Sequence, residues 1–387
     1  MKVIENKTKY AIKDIIQMAK RDNNKKRSYL FVNPVQAKHI PVSPKDALKL
    51  FEGLGEELRS AYSNEKSVII GFAETATAIG AAVANCFGED TYYIHTTREE
   101  VKDAKVIVNF EEEHSHATEQ KLYCHDPKEV LVKAQRIIFV EDEVTTGKTI
   151  LNFIDALKKN GYIKKHHKIA IASIVNSMQK MHLEAYQNMH INIHYLIKIE
   201  YEHKEDQFDL LSFTREGEKE ESSKIKQELL MSIKSIEGKT DPRVCVKIDD
   251  YQKACKALAE DIIHYIGKDD FKDKKILVLG TEEFMYPAIY LGYEIEKRQR
   301  IKNVRVHATT RSPIMANLGH SYPIKNKTKL MSFYERDRQT FIYNLAEYDK
   351  AIIVTDAQEG LDEAFYSLGQ ALYERGCKDI LGIRWVE

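Results

Sequence analysis

The chain has 387 residues, more than one typical domain holds, so two are expected. Its 59 Lys and Arg balance 59 Asp and Glu, which argues against bulk nucleic-acid or anionic-membrane binding as its role. Five cysteines (Cys86, Cys124, Cys245, Cys255, Cys377), odd in number and without CxxC spacing, predict a reducing compartment and neither a disulfide framework nor a zinc site.

Taken in order, residues 1–27 are polar and lack the apolar core of a signal peptide, and no later apolar run reaches bilayer length, so a cytoplasmic protein is expected. Residues 29–32 read as a strand running into Asn33-Pro34. A loop with Lys38 and His39 follows, then a helix over Lys45–Leu58. Ser67–Ile70 is a buried strand leading into Gly71-Phe72-Ala73-Glu74-Thr75-Ala76. The helix behind it carries Ala78, Gly80, Ala81, Ala82 and Ala84, small enough for close packing on a sheet. Such a turn lets backbone N–H groups reach an anion at the helix start, although any strand–helix turn looks similar. Thr91–Thr96 is a third strand, ending at Thr97-Arg98-Glu99.

Asn109–Gln120 has no clean periodicity and is dense in titratable groups, so a mobile loop is expected. Its Glu112, Glu113, His114 and His116 offer acids and bases. An acidic loop without chemistry is the plainer alternative, and a metal site lacks a further His or Cys to complete it.

The stretch IIFVEDEVTTGKTI, residues 137–150, is the most informative. Ile137–Val140 predict a buried strand, with Glu141 and Asp142 at its end. Ile150, Phe153, Ile154 and Leu157 give one apolar stripe of a helix that Asn160-Gly161 stops. Between them lie Thr145, Thr146, Gly147, Lys148 and Thr149. Free N–H groups at a helix start, with hydroxyls beside them, suit a phosphate. Adjacent carboxylates suit a vicinal diol or the waters of Mg²⁺. Together they ask for a phosphorylated sugar. A P-loop would need glycine where Asp142 stands. An ordinary strand–turn–helix remains the plainer alternative, with an uncommon turn composition.

Glu141–Thr149 closely resembles the phosphoribosyl pyrophosphate (PRPP) signature of type I phosphoribosyltransferases. The resemblance implies an α/β fold, a parallel sheet with flanking helices, and Mg²⁺-dependent transfer of ribose 5-phosphate from PRPP to an acceptor with release of pyrophosphate. It assigns the ribose hydroxyls to Glu141 and Asp142, with Asp142 linked to the metal, and the 5-phosphate to Thr145–Thr149. Pyrophosphate falls to Ala73, Glu74, Thr75 and Arg98. Glu112, Glu113, His114 and His116 would act as acid or base in a loop that closes over PRPP. The segment around 29–44 resembles the hood of orotate-type members, so Lys38 and His39 could face the acceptor, or simply solvent. A homodimer is expected, with no nucleic-acid or membrane partner. A non-catalytic PRPP sensor is the alternative; a loop rich in His and Glu favours the enzyme.

Strands at Lys168–Val175 and Asn192–Tyr201 follow. The charged run Arg215–Lys226 then reads as a linker, with a helix at Ile225–Ile236. Beyond it the first half recurs. Gly71, His95 and Asp142 are spaced by 24 and 47 residues; Gly280, His307 and Asp356 by 27 and 49. Three landmarks in one order argue for duplication. Asp356 is followed by Ala-Gln-Glu-Gly-Leu-Asp, which would repel a phosphate. The tetrad Thr310-Arg311-Ser312-Pro313 in this arrangement resembles the TRSP domain, found C-terminal to a phosphoribosyltransferase in tellurite-resistance-type gene clusters. Thr310, Arg311 and Ser312, with His307, His320 and Tyr322 nearby, could hold a second anionic ligand or form a plain strand-end turn. The expected organisation is a phosphoribosyltransferase domain over 1–215 with an N-terminal hood, a charged linker and helix over 216–245, and a second, degenerate copy of a similar α/β unit over 246–387.

Overall fold

A computed structural model describes residues 1–22, 28–111, 119–202, 208, 218–219, 231–267, 271–299 and 302–387. The chain divides into two units. One comprises Met1–Lys9, Lys49–His203 and Thr240–Lys253; the other comprises Tyr10–Leu48, Lys204–Lys239 and Ala254–Glu387.

The first unit is built on a seven-stranded sheet in the order Lys2–Asn6, Ile191–Glu200, Lys168–Asn176, Arg136–Val144, Ser67–Gly71, Tyr92–His95, Val246–Lys247. The middle five strands run parallel and the two outer ones antiparallel. Strands covered on both faces should be apolar throughout, and Ile137–Val140 are completely buried. The stripe Ile150, Phe153, Ile154, Leu157 lies on the helix Lys148–Lys159 and packs with Ile70, Phe72, Ile137 and Phe139. The small-residue helix Ala76–Phe87 lies close to the sheet: a Cβ on Gly80 would sit 3.1 Å from the Gly71 Cα. Val106–Glu111 and Glu119–Tyr123 form an antiparallel hairpin whose Phe110 and Leu122 join the same core. Asn109–Glu111 and Glu119–Gln120, expected in a loop, are therefore strand residues.

The second unit has a five-stranded parallel sheet in the order Ser232–Ile236, Asp379–Trp385, Lys350–Thr355, Ile276–Gly280, Val304–Ala308. Helices Tyr286–Gln299 and Asp362–Tyr373 belong to it. Lys327–Met331 and Gln339–Tyr343 pair antiparallel, with Glu218–Lys219 alongside.

Two expectations change here. Ser232–Ile236 is a strand, not the end of a helix. Ile233 and Ile236 fall three apart, a helical spacing, yet only Ile236 is buried and the segment adds an edge to the sheet beside Asp379–Trp385. The segment Tyr10–Leu48 clusters with the second unit, whereas the linear boundaries had placed it in 1–215. Its anchors explain why. Val42 and Val306 exchange backbone hydrogen bonds of 3.1 and 2.8 Å. Leu30 and Val32 share a core with Ile314, Phe341 and Tyr343.

Candidate active site

In a parallel α/β sheet, ligands collect at the carboxyl ends of the strands. In the first unit that edge brings together the ends of Ser67–Gly71, Tyr92–His95 and Arg136–Val144. The last of these does not stop at Val140. It leaves its neighbour there, where Phe72 N–H donates to the Val140 carbonyl at 3.1 Å, but stays paired with Lys168–Asn176 through Val144. Glu141 and Asp142 therefore stand on extended backbone beyond the end of its pairing with Ser67–Gly71. Both are half-buried. Glu141 Oε2 accepts from the Asp142 N–H at 3.2 Å, and Asp142 Oδ1 from the Glu143 N–H at 3.0 Å.

The turn after Val144 delivers the helix Lys148–Lys159. Gly147, its N-cap, has φ +74°, a left-handed conformation that glycine adopts without cost. A Cβ there would collide with the Tyr186 hydroxyl. That hydroxyl, buried on helix Lys180–Asn188, donates to the Gly147 carbonyl at 2.6 Å, and burial pushes the phenol well above its ordinary range. Gly147 has no side chain with which to cap this helix start, and the Lys148 N–H donates to Thr146 Oγ1 at 3.4 Å; the first-turn N–H groups and dipole are directed to the turn. Thr145, Thr146 and Thr149 are half-buried around it and Lys148 is exposed.

The loop after Gly71 is fixed by a closed set of hydrogen bonds. The Ala73 N–H donates to Thr96 Oγ1 at 2.8 Å, Thr96 Oγ1 donates to Gln120 Oε1, and Gln120 Nε2 returns to the Ala73 carbonyl at 3.0 Å. The Ala73–Glu74 peptide is cis. Ala73 thus shapes the loop with both peptide groups, and its N–H is already committed. Glu74, Thr75 and the half-buried Arg98 lie at the same edge. Thr97 and Lys121 exchange backbone hydrogen bonds of 2.9 and 2.8 Å, which ties the hairpin to the strand end beside Arg98. Glu112, Glu113, His114 and His116 lie outside the described residues.

Sequence reasoning passed over three groups here. Thr96 and Gln120 are completely buried polar residues whose role exists only through the tertiary contact. Lys198, in the strand Ile191–Glu200, donates to Asn176 Oδ1 at 3.0 Å and to the Met178 carbonyl. Burial lowers its pKa. A lysine flanked by Leu196, Ile197 and Ile199 was the visible signal.

The remaining candidates belong to the second unit. Lys38 is buried, and its ammonium donates to the carbonyls of Glu282 at 2.6 Å and Thr309 at 3.0 Å. His39 is also buried, and its carbonyl accepts from Asn344 Nδ2 at 3.1 Å. The expectation of solvent-facing loop residues fails for both, and Lys38 holds the loops of its own unit together. Thr310 pairs with Phe341, Arg311 is engaged by Glu282 and Glu283, and Ser312 is half-buried. The expected companions are spent elsewhere. His307 Nε2 donates to the Tyr343 carbonyl at 2.7 Å, and Tyr322 bonds Lys20 and Met315 while His320 is exposed.

Residues 15–203 match the family model described as phosphoribosyl transferase, and 244–372 match the TRSP domain, C-terminal to that transferase. The chain is a phosphoribosyltransferase followed by a TRSP domain. No curated protein matches it. Among solved structures it is similar to the adenine phosphoribosyl transferase of Trypanosoma brucei, at 11% identity over 48% of this chain and 77% of that one, with a TM-score of 0.35. The Giardia lamblia adenine enzyme gives 13%, 48%, 94% and 0.35. The Aeropyrum pernix orotate phosphoribosyltransferase gives 15%, 44%, 80% and 0.27. No helix among the described residues is long and apolar enough to cross a membrane.

Proposed function

We propose that the phosphoribosyltransferase binds PRPP with Mg²⁺ at the carboxyl edge of its seven-stranded sheet and transfers ribose 5-phosphate to a nitrogenous acceptor, releasing pyrophosphate. The observation that carries this reading is the placement of three loops at one sheet edge: the fixed Gly71–Ala76 loop, the Thr97–Arg98 turn and the Glu141–Thr149 run. The N–H groups at the start of Lys148–Lys159 and the threonine hydroxyls would hold the 5-phosphate. Glu141 and Asp142 would hold the ribose hydroxyls. Arg98 and the backbone at Glu74–Thr75 would hold pyrophosphate, the Glu74 carboxylate turning elsewhere because like charges repel.

No group of three or more metal-ligating side chains occurs among the described residues. That fits Mg²⁺, which is commonly held by one or two carboxylates with waters and substrate phosphates. Asp142 and Glu141 are such a pair, and the ion would neutralise charge on the departing pyrophosphate. In the transfer, the bond from ribose C1 to the pyrophosphate oxygen breaks as the acceptor nitrogen bonds to C1. The proton lost from that nitrogen needs a base, a task for which the family resemblance offers Glu112, Glu113, His114 or His116. Orotate-like pyrimidine is the acceptor class that the resemblance in sequence to orotate-type members suggests.

The test is pyrophosphate release from PRPP and Mg²⁺ across a panel of nucleobases and amines, with mass detection of the ribosylated product. Release that depends on one acceptor is expected. Tight PRPP binding without any product would make the protein a PRPP sensor instead. Failure of PRPP to bind would overturn the site.

A further inference from the structure

The second unit repeats the hydrogen bonding of the first at its own sheet edge. Thr96 N–H donates to the Gly71 carbonyl at 2.9 Å; Thr309 N–H donates to the Gly280 carbonyl at 3.2 Å. Ala73 N–H donates to Thr96 Oγ1 at 2.8 Å; Glu282 N–H donates to Thr309 Oγ1 at 3.0 Å. Thr97 exchanges backbone bonds with Lys121, and Thr310 exchanges them with Phe341, at 2.9 and 2.8 Å in both cases. Each of these threonines is followed by an arginine, Arg98 or Arg311. Register also puts Asp356 where Asp142 stands, since Ile70 faces Phe139 and Leu279 faces Ile353. It corrects one expected landmark: His95 faces Gly71, but Gly280 faces Ala308, so His307 corresponds to Ile94.

Within that shared frame Ala73 has become Glu282, and the side chain reaches the arginine. Glu282 Oε2 lies 3.3 Å from Arg311 Nε and 3.2 Å from Arg338 Nη1, and Oε1 accepts from Ser332 Oγ at 2.6 Å. Glu283 Oε2 lies 3.4 Å from Arg311 Nη2. The Glu282 side chain is wholly buried and that of Arg311 nearly so. Two guanidinium groups and a hydroxyl converging on one oxyanion are the recognition pattern of a bound phosphate group. Here the anion is covalently part of the chain.

We propose that the TRSP domain keeps an anion site equivalent to the pyrophosphate loop and fills it with the Glu282 carboxylate as an internal ligand. The equivalence rests on the pyrophosphate role proposed for Ala73–Thr75 and Arg98; occupancy of the site by Glu282 does not. The chain therefore binds a single PRPP, and Glu282 is what closes the second position.

Calorimetry with inorganic pyrophosphate, without metal, tests this on the full chain. Glu282→Ala should bind one more pyrophosphate per chain than wild type, and its lowered thermal midpoint should recover as pyrophosphate is added. The extra site should weaken by at least about tenfold in Glu282→Ala with Arg311→Ala, the factor expected for one lost charge-assisted contact. If Glu282→Ala does not fold, Glu282→Gln keeps the side-chain volume. Its midpoint should rise with pyrophosphate by an increment that Arg311→Ala removes. A folded Glu282→Ala with no extra site and no recovery overturns the proposal, as does a Glu282→Gln without the increment. Wild type binding none, with or without Mg²⁺, while Glu282→Ala binds one, would sink the first unit's assignment and leave the occupancy of the second position by Glu282 standing.

Discussion

Ala73 and Glu282 hold the same hydrogen-bonding position in their own units, yet one offers a methyl group and the other a carboxylate. Around Ala73 the backbone is fixed by Thr96 and Gln120, so the loop is already formed, with Arg98 at the same sheet edge. Around Glu282 the arginine is already compensated by the chain. The comparison teaches that one hydrogen-bonding frame can carry either a methyl group or a carboxylate at the same position. Strand register and threonine-to-loop bonds stabilise the fold whether or not anything binds. One side chain then decides whether the frame is a site or a structural ion cluster.

The largest expected effect separates the two aspartates. Asp142→Asn should lower kcat/KM by at least about a hundredfold, because charge-assisted bonds of about 1.5–3 kcal/mol each are lost where PRPP would sit. Asp356→Asn should leave PRPP kinetics unchanged, since Asp356 accepts from the Tyr334 hydroxyl at 2.7 Å within its own unit. Equal losses in both variants would break the comparison.

The next effect is on stability. Burial lowers the His307 pKa from 6.5 to about 4, so the folded state keeps the imidazole neutral. Its contribution is complete above pH 6.5 and is lost as pH falls from there towards 4, amounting to roughly 3 kcal/mol. The thermal midpoint should drop over that window. His307→Ile, the residue type at the matching register of the first unit, should flatten the drop. An unchanged slope would show that the imidazole does not carry it.

Gln120→Ala strips buried partners from Ala73 and Thr96, an effect of roughly 1–3 kcal/mol. It should weaken pyrophosphate in product-inhibition kinetics. Thr340→Val, at the matching hairpin position, loses a 3.2 Å bond to the Met331 carbonyl and should shift only the thermal midpoint. Tyr186→Phe is the mildest, at about 1 kcal/mol, through the lost bond to the Gly147 carbonyl. It should raise KM for PRPP with little change in the fold.

Local features were readable in advance. Ile137–Lys159 is one strand, one turn and one helix, each written in a contiguous pattern, and Gly147 needs only its own φ to be understood. Landmark spacing likewise brought matching residues of the two units into line, with an error of one residue at His307 because an insertion cannot be placed by counting. Groups that act across distance were not readable. Gln120 reaches 47 residues back to Ala73, and Lys38 reaches 244 and 271 residues forward to Glu282 and Thr309. Ser232–Ile236 misled because the spacing of its two isoleucines fits a helix as well as an edge strand.

The interleaving of segments bears on how the protein is made. Tyr10–Leu48 leaves the ribosome early, but Ile314, Phe341 and Tyr343, which share a core with its Leu30 and Val32, are synthesised about three hundred residues later. Met1–Lys9 likewise waits for Ile191–Glu200 to supply its sheet partner. Domain-by-domain folding during synthesis is the usual route for long chains. Here neither unit is a continuous stretch, so a cut at residue 215 would not release a self-sufficient transferase: it would strip Leu30 and Val32 of their core partners. Expression of 1–215 alone should yield aggregates, and co-expression with the remainder should restore soluble protein.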